Sequence, residues 1–336
     1  MPTDKKPKAV LLYSGGLDST IALYSLVSMG VDVIALNFDF FCTGSNNRVY
    51  QSVADNTRRL GVNVITVGVD NEYLEVLKNP RYGYGRSVNP CVDCRIYMLK
   101  YAKKVMDLEG ADFIATGEVV GQRPFSQKVQ RLMVIDKEAG VEGLVVRPLS
   151  GKLLPETIPE KKGLVKREAM FDLQGRGRRA QMKLAEQLGI KVYPTPAGGC
   201  LLTESAFGRR FRDLKKYCRN FDLKDVLLLR FGRHFRLDDK NKIIICRNES
   251  ENKAVMDLVS DEDTLFTAVD HKGPVGIYIG DFSADSMKTA ASHIISYSKA
   301  PRDTPVKVKF WNKKSTFCSV IEAYALPKNL QHKNLI

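Results

Sequence analysis

The feature that most constrains this chain is the regular alternation at its start, where apolar runs and amphipathic runs succeed one another with glycines between them. Lys8–Tyr13 (KAVLLY) reads as a buried strand and Asp18–Met29 as a helix ended by Gly30. Val31–Asn37 is a second strand. Val49–Leu60 is a helix with Val49, Val53 and Leu60 on one face, and Val62–Val67 a third strand. Arg95–Leu108 reads as a helix with Ile96, Leu99, Ala102 and Val105 or Met106 turned inward, followed by a strand at Asp112–Thr116. Leu132–Asp136 and Gly143–Pro148 read as further short strands. Strands separated by helices of this length pair in parallel, so the expected fold class is α/β with a doubly wound parallel sheet. Such a sheet places its ligand beyond the carboxyl ends of its strands.

The pattern changes from Lys152, where prolines and glycines punctuate the chain and helices rich in Arg and Lys follow. Gly198–Thr203 is a second glycine-bearing turn. Beyond Phe207 the strands Val226–Phe231, Lys242–Cys246, Val275–Ile279 and Val306–Phe310 and a helix near Ser286–Ser298 suggest a smaller α+β domain. The expected organisation is therefore a sheet domain over 1–150, a basic helical extension over 151–206 that carries Cys200, and the α+β domain over 207–336. A formal net charge of +14 favours a polyanionic partner, nucleic acid or an acidic membrane surface. No apolar run reaches the roughly 18 residues of a bilayer span and no signal segment is evident, so a cytoplasmic protein without membrane contact is expected. Seven cysteines, an odd number, argue against a disulfide framework and for metal, redox or catalytic roles.

Ser14-Gly15-Gly16-Leu17-Asp18-Ser19 lies between the first strand and the first helix. Its glycines let the backbone approach an anion, the helix N-terminus adds positive potential, and Asp18 is placed to orient a magnesium ion. The string SGGLDS resembles the PP-loop of the ATP pyrophosphatase superfamily, whose members cleave ATP between its α and β phosphates. The resemblance implies ATP and Mg2+ as ligands and Ser14, Gly15, Gly16, Asp18 and Ser19 as the pyrophosphate site, with Asp18 also catalytic. Asn37 and Phe38, ending the second strand, match the adenine position.

Thr116-Gly117-Glu118, Gly121-Gln122 and Ser126-Gln127 cluster polar groups beyond a strand's carboxyl end. The block ATGEVVGQRPFSQ, with LMVID and RPLSGK after it, resembles the tRNA 4-thiouridine synthetase branch of the superfamily, over about residues 8–203. This implies Gly117, Gln122 and Gln127 as ATP contacts. Neither an N-terminal RNA-binding region nor a rhodanese extension accompanies the match, so sulfide or a sulfur-donating protein is the expected donor.

Cys91-Val92-Asp93-Cys94 opens a helix, where the dipole favours thiolates, and Cys200 lies in a glycine turn. Three arrangements suit these residues. Zinc wants four ligands, and His234, His271, His293 and His332 all lie far downstream. A redox reading pairs Cys91 with Cys94 in service of a persulfide on Cys200, the catalytic thiol. The third reading places Cys91, Cys94 and Cys200 around a [4Fe–4S] cluster with one open iron. A CxxC plus a distant cysteine resembles the cluster-dependent tRNA thiolation enzymes. Cys42 is a candidate fourth ligand, whereas Cys218, Cys246 and Cys318 read as packing residues.

Arg176, Arg178 and Arg179, and then Arg209, Arg210, Arg212, Lys215, Lys216 and Arg219 among Phe207, Phe211 and Tyr217, suit either an RNA backbone with its flipped base or a solvated basic face over core aromatics. Tyr297–Ala300 and Pro305–Val308 resemble an RNA-binding module of ribosome-associated quality-control proteins. Together these resemblances imply an ATP-dependent tRNA sulfurtransferase acting through an adenylated uridine, with tRNA as partner and 4-thiouridine as the expected product. A homodimer is one possible assembly. The alternatives are 2-thiouridine synthesis, a PP-loop ligase or amidotransferase acting on a small molecule, and an RNA-binding protein with a relict nucleotide site.

Overall fold

The computed structural model describes residues 6–40, 48–194, 199–313 and 318–336, and divides the chain into two compact units, Met1–Thr203 and Glu204–Ile336. Cys42 and the start of the Gly198–Thr203 turn lie outside the described residues.

The first unit runs β1 (Lys8–Leu12), α1 (Leu17–Ser28), β2 (Asp32–Asp39), α2 (Arg48–Leu60), β3 (Asn63–Gly68), α3 (Asn71–Lys78), α4 (Cys91–Leu108), β4 (Phe113–Thr116), α5 (Val129–Glu138), β5 (Val145–Val146), α6 (Ile158–Lys161) and α7 (Arg179–Gln187). Its five strands are all parallel in the order β3-β2-β1-β4-β5, as the alternation of strand and helix requires. Both faces are covered. Ala9 and Leu11 of β1 pack with Leu17 and Ile21 of α1 and Ala185 of α7, while Val10 and Leu12 pack with Leu99 and Ala102 of α4 and Ile135 of α5. That is the period-2 alternation of a strand buried on two sides. The strand order reverses at β1, which has β2 on one side and β4 on the other, so the crevice opens beyond Leu12 and Thr116.

Two expected strands are helices. Leu132–Asp136 belongs to α5, because Leu132, Ile135 and Ala139 face the core while Val134 is exposed, a helical spacing. The first half of Val226–Phe231 belongs to α9 (Leu223–Leu228), started by a capping box in which Asp222 accepts from the Asp225 amide and Asp225 from the Asp222 amide. Residues 151–203 pack into the first unit rather than standing apart.

The second unit contains α8 (Ser205–Tyr217), α9, β6 (Arg233–Arg236), β7 (Lys242–Ile245), α10 (Glu249–Leu258), β8 (Thr264–Ala268), β9 (Gly276–Ile279), α11 (Ala284–Ser296), β10 (Val306–Asn312) and β11 (Cys318–Ala323). Its sheet is antiparallel in the order β11-β10-β8-β9-β7-β6. Ala290, Ala291, Ile294 and Ile295 of α11 cover one face with Phe235, Phe266 and Val308, and Val255 of α10 covers the other with Ile244, Leu265 and Ile277. No helix among the described residues is long and apolar enough to cross a membrane.

Candidate active site

The glycine loop is built by close approach. Gly15 has φ +69°, a left-handed conformation, and a side chain there would meet Val53 Cγ2 at 2.7 Å. Gly16 caps α1 in an extended conformation, and the hydroxyls of Ser19 and Thr20 both donate to its carbonyl, at 3.0 and 2.9 Å. Ser14 Oγ and Ser19 Oγ lie 3.1 Å apart. The first-turn amides of α1 have no carbonyl one turn back to receive them, so Leu17–Ser19 present donors and the positive end of the helix dipole to the crevice.

Gly117 stands against this loop from the end of β4. A Cβ there would lie 2.6 Å from both the nitrogen and Cα of Ser19, which explains glycine at this position. From the same segment, Gln122 Nε2 donates to Asp18 Oδ2 at 3.2 Å. Arg178, at the start of α7, pairs through Nη1 with that same Asp18 oxygen, whereas the buried Asp18 Oδ1 has no partner. A carboxylate oxygen with an unfilled acceptor position fits a divalent cation. The basic-stretch reading gave Arg178 no such place, and only its position three residues into the Gly-Arg-Gly-Arg segment hinted at a constrained geometry.

Asn37 and Gln127 are buried. Asn37 Nδ2 donates to the Tyr13 carbonyl at 2.8 Å, which fastens the end of β1 to β2, and Gln127 Oε1 is buried without a partner. Phe38 joins an aromatic group with Phe40, Tyr97 and Tyr101. Glu118, expected on the ligand rim, turns inward instead. It accepts from Arg147 Nε at 3.0 Å and pairs with Arg95 at 3.5 Å, while Arg147 also holds Asp136 at 2.7 Å. Burial pushes the Glu118 carboxyl up, but Arg95 and Arg147 together hold it below the usual range.

The three cysteines converge in the first unit. Cys91 and Cys94 open α4; Cys91 Sγ lies 3.0 Å from Ser126 Oγ, and the Tyr73 hydroxyl donates to Cys94 Sγ at 3.4 Å. Cys200 is delivered by a short helical turn whose Leu202 carbonyl accepts from the Val88 amide at 3.2 Å, and the Thr203 hydroxyl donates to the Cys200 carbonyl at 2.6 Å. Burial pushes the Cys94 thiol up to about 12 and raises Cys200 as well; Cys91 and Cys200 both bear on Cys94, with Arg95 opposing them, and Arg123 and Arg95 favour the Cys200 thiolate. Tyr73, fully buried and stacked on Phe40 at 3.9 Å, is a site residue that the sequence reading missed, since it lies in a helix with no motif around it. No three Cys, His, Asp or Glu side chains among the described residues stand in coordinating geometry, although three soft donors with adjacent arginines suit an anionic iron–sulfur cluster. The loop after β4 touches both groups: Gln122 donates to Asp18 of the glycine loop and Ser126 lies against Cys91.

In the second unit the basic helix α8 separates into two faces. Phe207 and Phe211 are buried and Arg210 donates to the carbonyls of Leu229 and Gly232, so these serve the core, whereas Arg209, Arg212, Lys215, Lys216 and Arg219 are exposed. The Arg236 guanidinium lies 4.3 Å from the Tyr217 ring centre. His234 and His293 are buried in this unit.

Comparison with known proteins agrees with this division. Residues 5–158 match the family described as thiamine biosynthesis protein (ThiI), and residues 232–334 match the NFACT protein RNA binding domain. A curated relative, the tRNA-specific 2-thiouridylase MnmA of Pediococcus pentosaceus, is 26% identical over 62% of this chain and 55% of its own length. The chain thus spans about half the length of that relative. MnmA 2 of Thermoanaerobacter sp. is 25% identical over 88% of this chain and 82% of its own. Among solved structures, a 4-thiouridine synthetase–RNA complex with bound ATP is 23% identical at a TM-score of 0.34, covering 55% of this chain and 50% of that one. The U34-tRNA thiolase NcsA from Methanococcus maripaludis with its [4Fe-4S] cluster is 19% identical at a TM-score of 0.38, covering 63% and 68%. The SGGLDS loop and the parallel sheet thus fall inside the match to the ThiI family, and the antiparallel sheet falls inside the match to the NFACT RNA-binding domain.

Proposed function

We propose that the chain is an ATP-dependent tRNA uridine thiolase. The observation that carries this reading is the loop after β4, which hydrogen-bonds Asp18 through Gln122 and Cys91 through Ser126, so that a nucleotide centre and a thiol centre share one rim. A uracil carbonyl oxygen attacks the α-phosphorus of ATP, pyrophosphate leaves, and the ring carbon is activated as an adenylate. Ser14, Ser19 and the first-turn amides of α1 hold the departing pyrophosphate, and Asp18 Oδ1 takes Mg2+. Cys91, Cys94 and Cys200 would hold a [4Fe–4S] cluster, which would supply a binding point for exogenous sulfide. Arg95 and Arg123 offset the negative charge of the thiolates, and the buried Tyr73 hydroxyl orients the Cys94 sulfur. Attack of sulfide on the ring carbon then releases AMP. The exposed arginines and lysines of α8 and the NFACT-type sheet supply phosphate contacts for tRNA.

Position 4 of uridine is favoured by the TGE-x-x-GQ-x-x-SQ block; position 2 is favoured by curated relatives named as 2-thiouridylases. One experiment separates these readings. Protein purified and reconstituted without oxygen is given unmodified tRNA, ATP, Mg2+ and sulfide, and the digested nucleosides are resolved by mass spectrometry. We expect thiouridine with matching AMP, and about four irons per chain lost in each of Cys91→Ala, Cys94→Ala and Cys200→Ala. Thiolation by iron-free protein would remove the cluster from this reading and leave sulfide attacking the activated ring carbon directly. AMP formation indifferent to RNA would refute the thiolase reading in favour of a small-molecule ligase.

A further inference from the structure

The pairing of Arg178 with Asp18 has a chemical oddity. One carboxylate oxygen receives both the Arg178 guanidinium and the Gln122 amide, while the other, buried, receives nothing. Nor does Arg178 reach Asp18 by chance. Its backbone is pinned on both sides: the Gly175 amide donates to the Val120 carbonyl at 2.8 Å, and the Met182 amide to the Arg178 carbonyl at 2.9 Å. Residues 120 and 174 form an isolated parallel bridge, so the Arg178 segment is anchored to the same rim that carries Gln122. Behind it, Ala185 and Leu184 fix α7 to the α1 core. The backbone is held and only the side chain has freedom to swing.

We propose that Arg178 is a ligand of the ATP phosphates that, in the empty site, stands in for the metal ion at Asp18. This rests on the ATP reading above. Without a counterion, the Asp18 carboxylate at the mouth of the loop repels an incoming triphosphate. Arg178 cancels that charge while the site is empty. On binding, the guanidinium transfers to phosphate oxygens, which its planar fork matches in two-point contact, and Asp18 is released to the divalent cation that accompanies ATP. One positive charge is exchanged for another at Asp18, and the phosphates gain one, so no buried charge is left unpaired at either stage.

The test uses the full chain, Mn2+ in place of Mg2+, and α,β-methylene-ATP as a nucleotide that cannot be cleaved. Mn2+ alone is titrated by electron paramagnetic resonance, and the nucleotide by calorimetry. Arg178→Ala should bind the analogue about 10- to 100-fold more weakly and should bind Mn2+ without nucleotide more tightly than the wild type, because Asp18 is no longer occupied. Arg178→Lys should recover part of the nucleotide affinity, and Asp18→Asn should abolish the gain in Mn2+ binding. Opposite movement of the two affinities is the signature, since a merely structural arginine would weaken both together. Unchanged nucleotide affinity in Arg178→Ala, or loss of both ligands by a variant with native circular dichroism, would overturn the assignment with the ATP reading intact. Failure of the wild type to bind the analogue would overturn both.

Discussion

The three glycines around the nucleotide loop should fail in three different ways when a single methyl group is added. At Gly117 the new Cβ stands 2.6 Å from the Ser19 nitrogen and Cα and 2.8 Å from the Asp18 carbonyl carbon, where ordinary contact begins at 3.4 Å. The deficit of 0.8 Å is against backbone, so no rotamer change relieves it, and β4 and α1 must separate. Overpacking of this kind costs about 1–3 kcal/mol. The same displacement moves the donor amides of α1, and a misplacement of about 1 Å costs roughly 100-fold in a positioned reaction. Gly117→Ala should therefore lose both stability and nucleotide turnover. Gly16→Ala has no such problem in the empty protein: its φ is −77° and its nearest new neighbour is Ser14 Oγ at 3.4 Å. It should fold with wild-type stability yet lose ATP, because its methyl projects where phosphate must approach the amides. Gly15→Ala combines a left-handed φ with the Val53 contact and should destabilise by at least about 1 kcal/mol. Thermal denaturation and binding of α,β-methylene-ATP, measured on all three, check the series. Wild-type stability in Gly117→Ala, or wild-type affinity in Gly16→Ala, would refute the reasoning.

Arg147→Met leaves two buried carboxylates, Glu118 and Asp136, without their shared guanidinium, and should cost about 3–5 kcal/mol at pH 7. The loss should be smaller at pH 5, where the carboxyls take up protons, and hydrogen exchange in β1 and β4 will show it. Burial holds His293 down to about 4, so between pH 6.5 and 4 the unfolded chain takes a proton that the fold refuses. The second unit should therefore be most stable above pH 6.5 and lose at least about 3 kcal/mol as pH falls to 4, because burial holds His234 down as well, by urea denaturation followed at Trp311; His293→Leu should make that slope shallower and leave the part due to His234. Tyr73→Phe keeps the stacking on Phe40 and deletes the hydroxyl on Cys94, so alkylation of Cys94 should slow severalfold by peptide mass spectrometry. An unchanged rate would mean that the hydroxyl does not support the thiolate.

The parallel sheet was legible because β1 and β2 each precede a helix ended by glycine, Gly30 and Gly61, and both chemical motifs fall at strand ends; α3 after β3, bounded by Asp70 and Asn79, was not read from the sequence. The short runs were not. LMVID carries five residues that suit a strand, and only Ala139 beyond it shows the helical spacing. VLLLRF is apolar but for Arg230, and its helix is declared instead by the Asp222 and Asp225 cap at its start. Close backbone approach was legible where motif and geometry coincide, as for Gly15 and Gly117. Tyr73 and the inward turn of Glu118 depend on partners distant in sequence, Cys94 and Arg147, and no local pattern marks them.

The strand order also sets a timetable for synthesis. β1 acquires its first neighbour, β2, within about two dozen residues, but its second edge waits for β4, with Ala9 opposite Phe113. At a ribosomal rate of about 5–20 residues per second, that edge stays open for roughly 4–15 s after the β1–β2 pair emerges. Throughout that interval Ala9–Leu12 offers an unpaired, wholly apolar strand, the kind of edge that recruits other chains. The central strand of the finished sheet is thus, during synthesis, an open apolar edge that only the arrival of β4 closes.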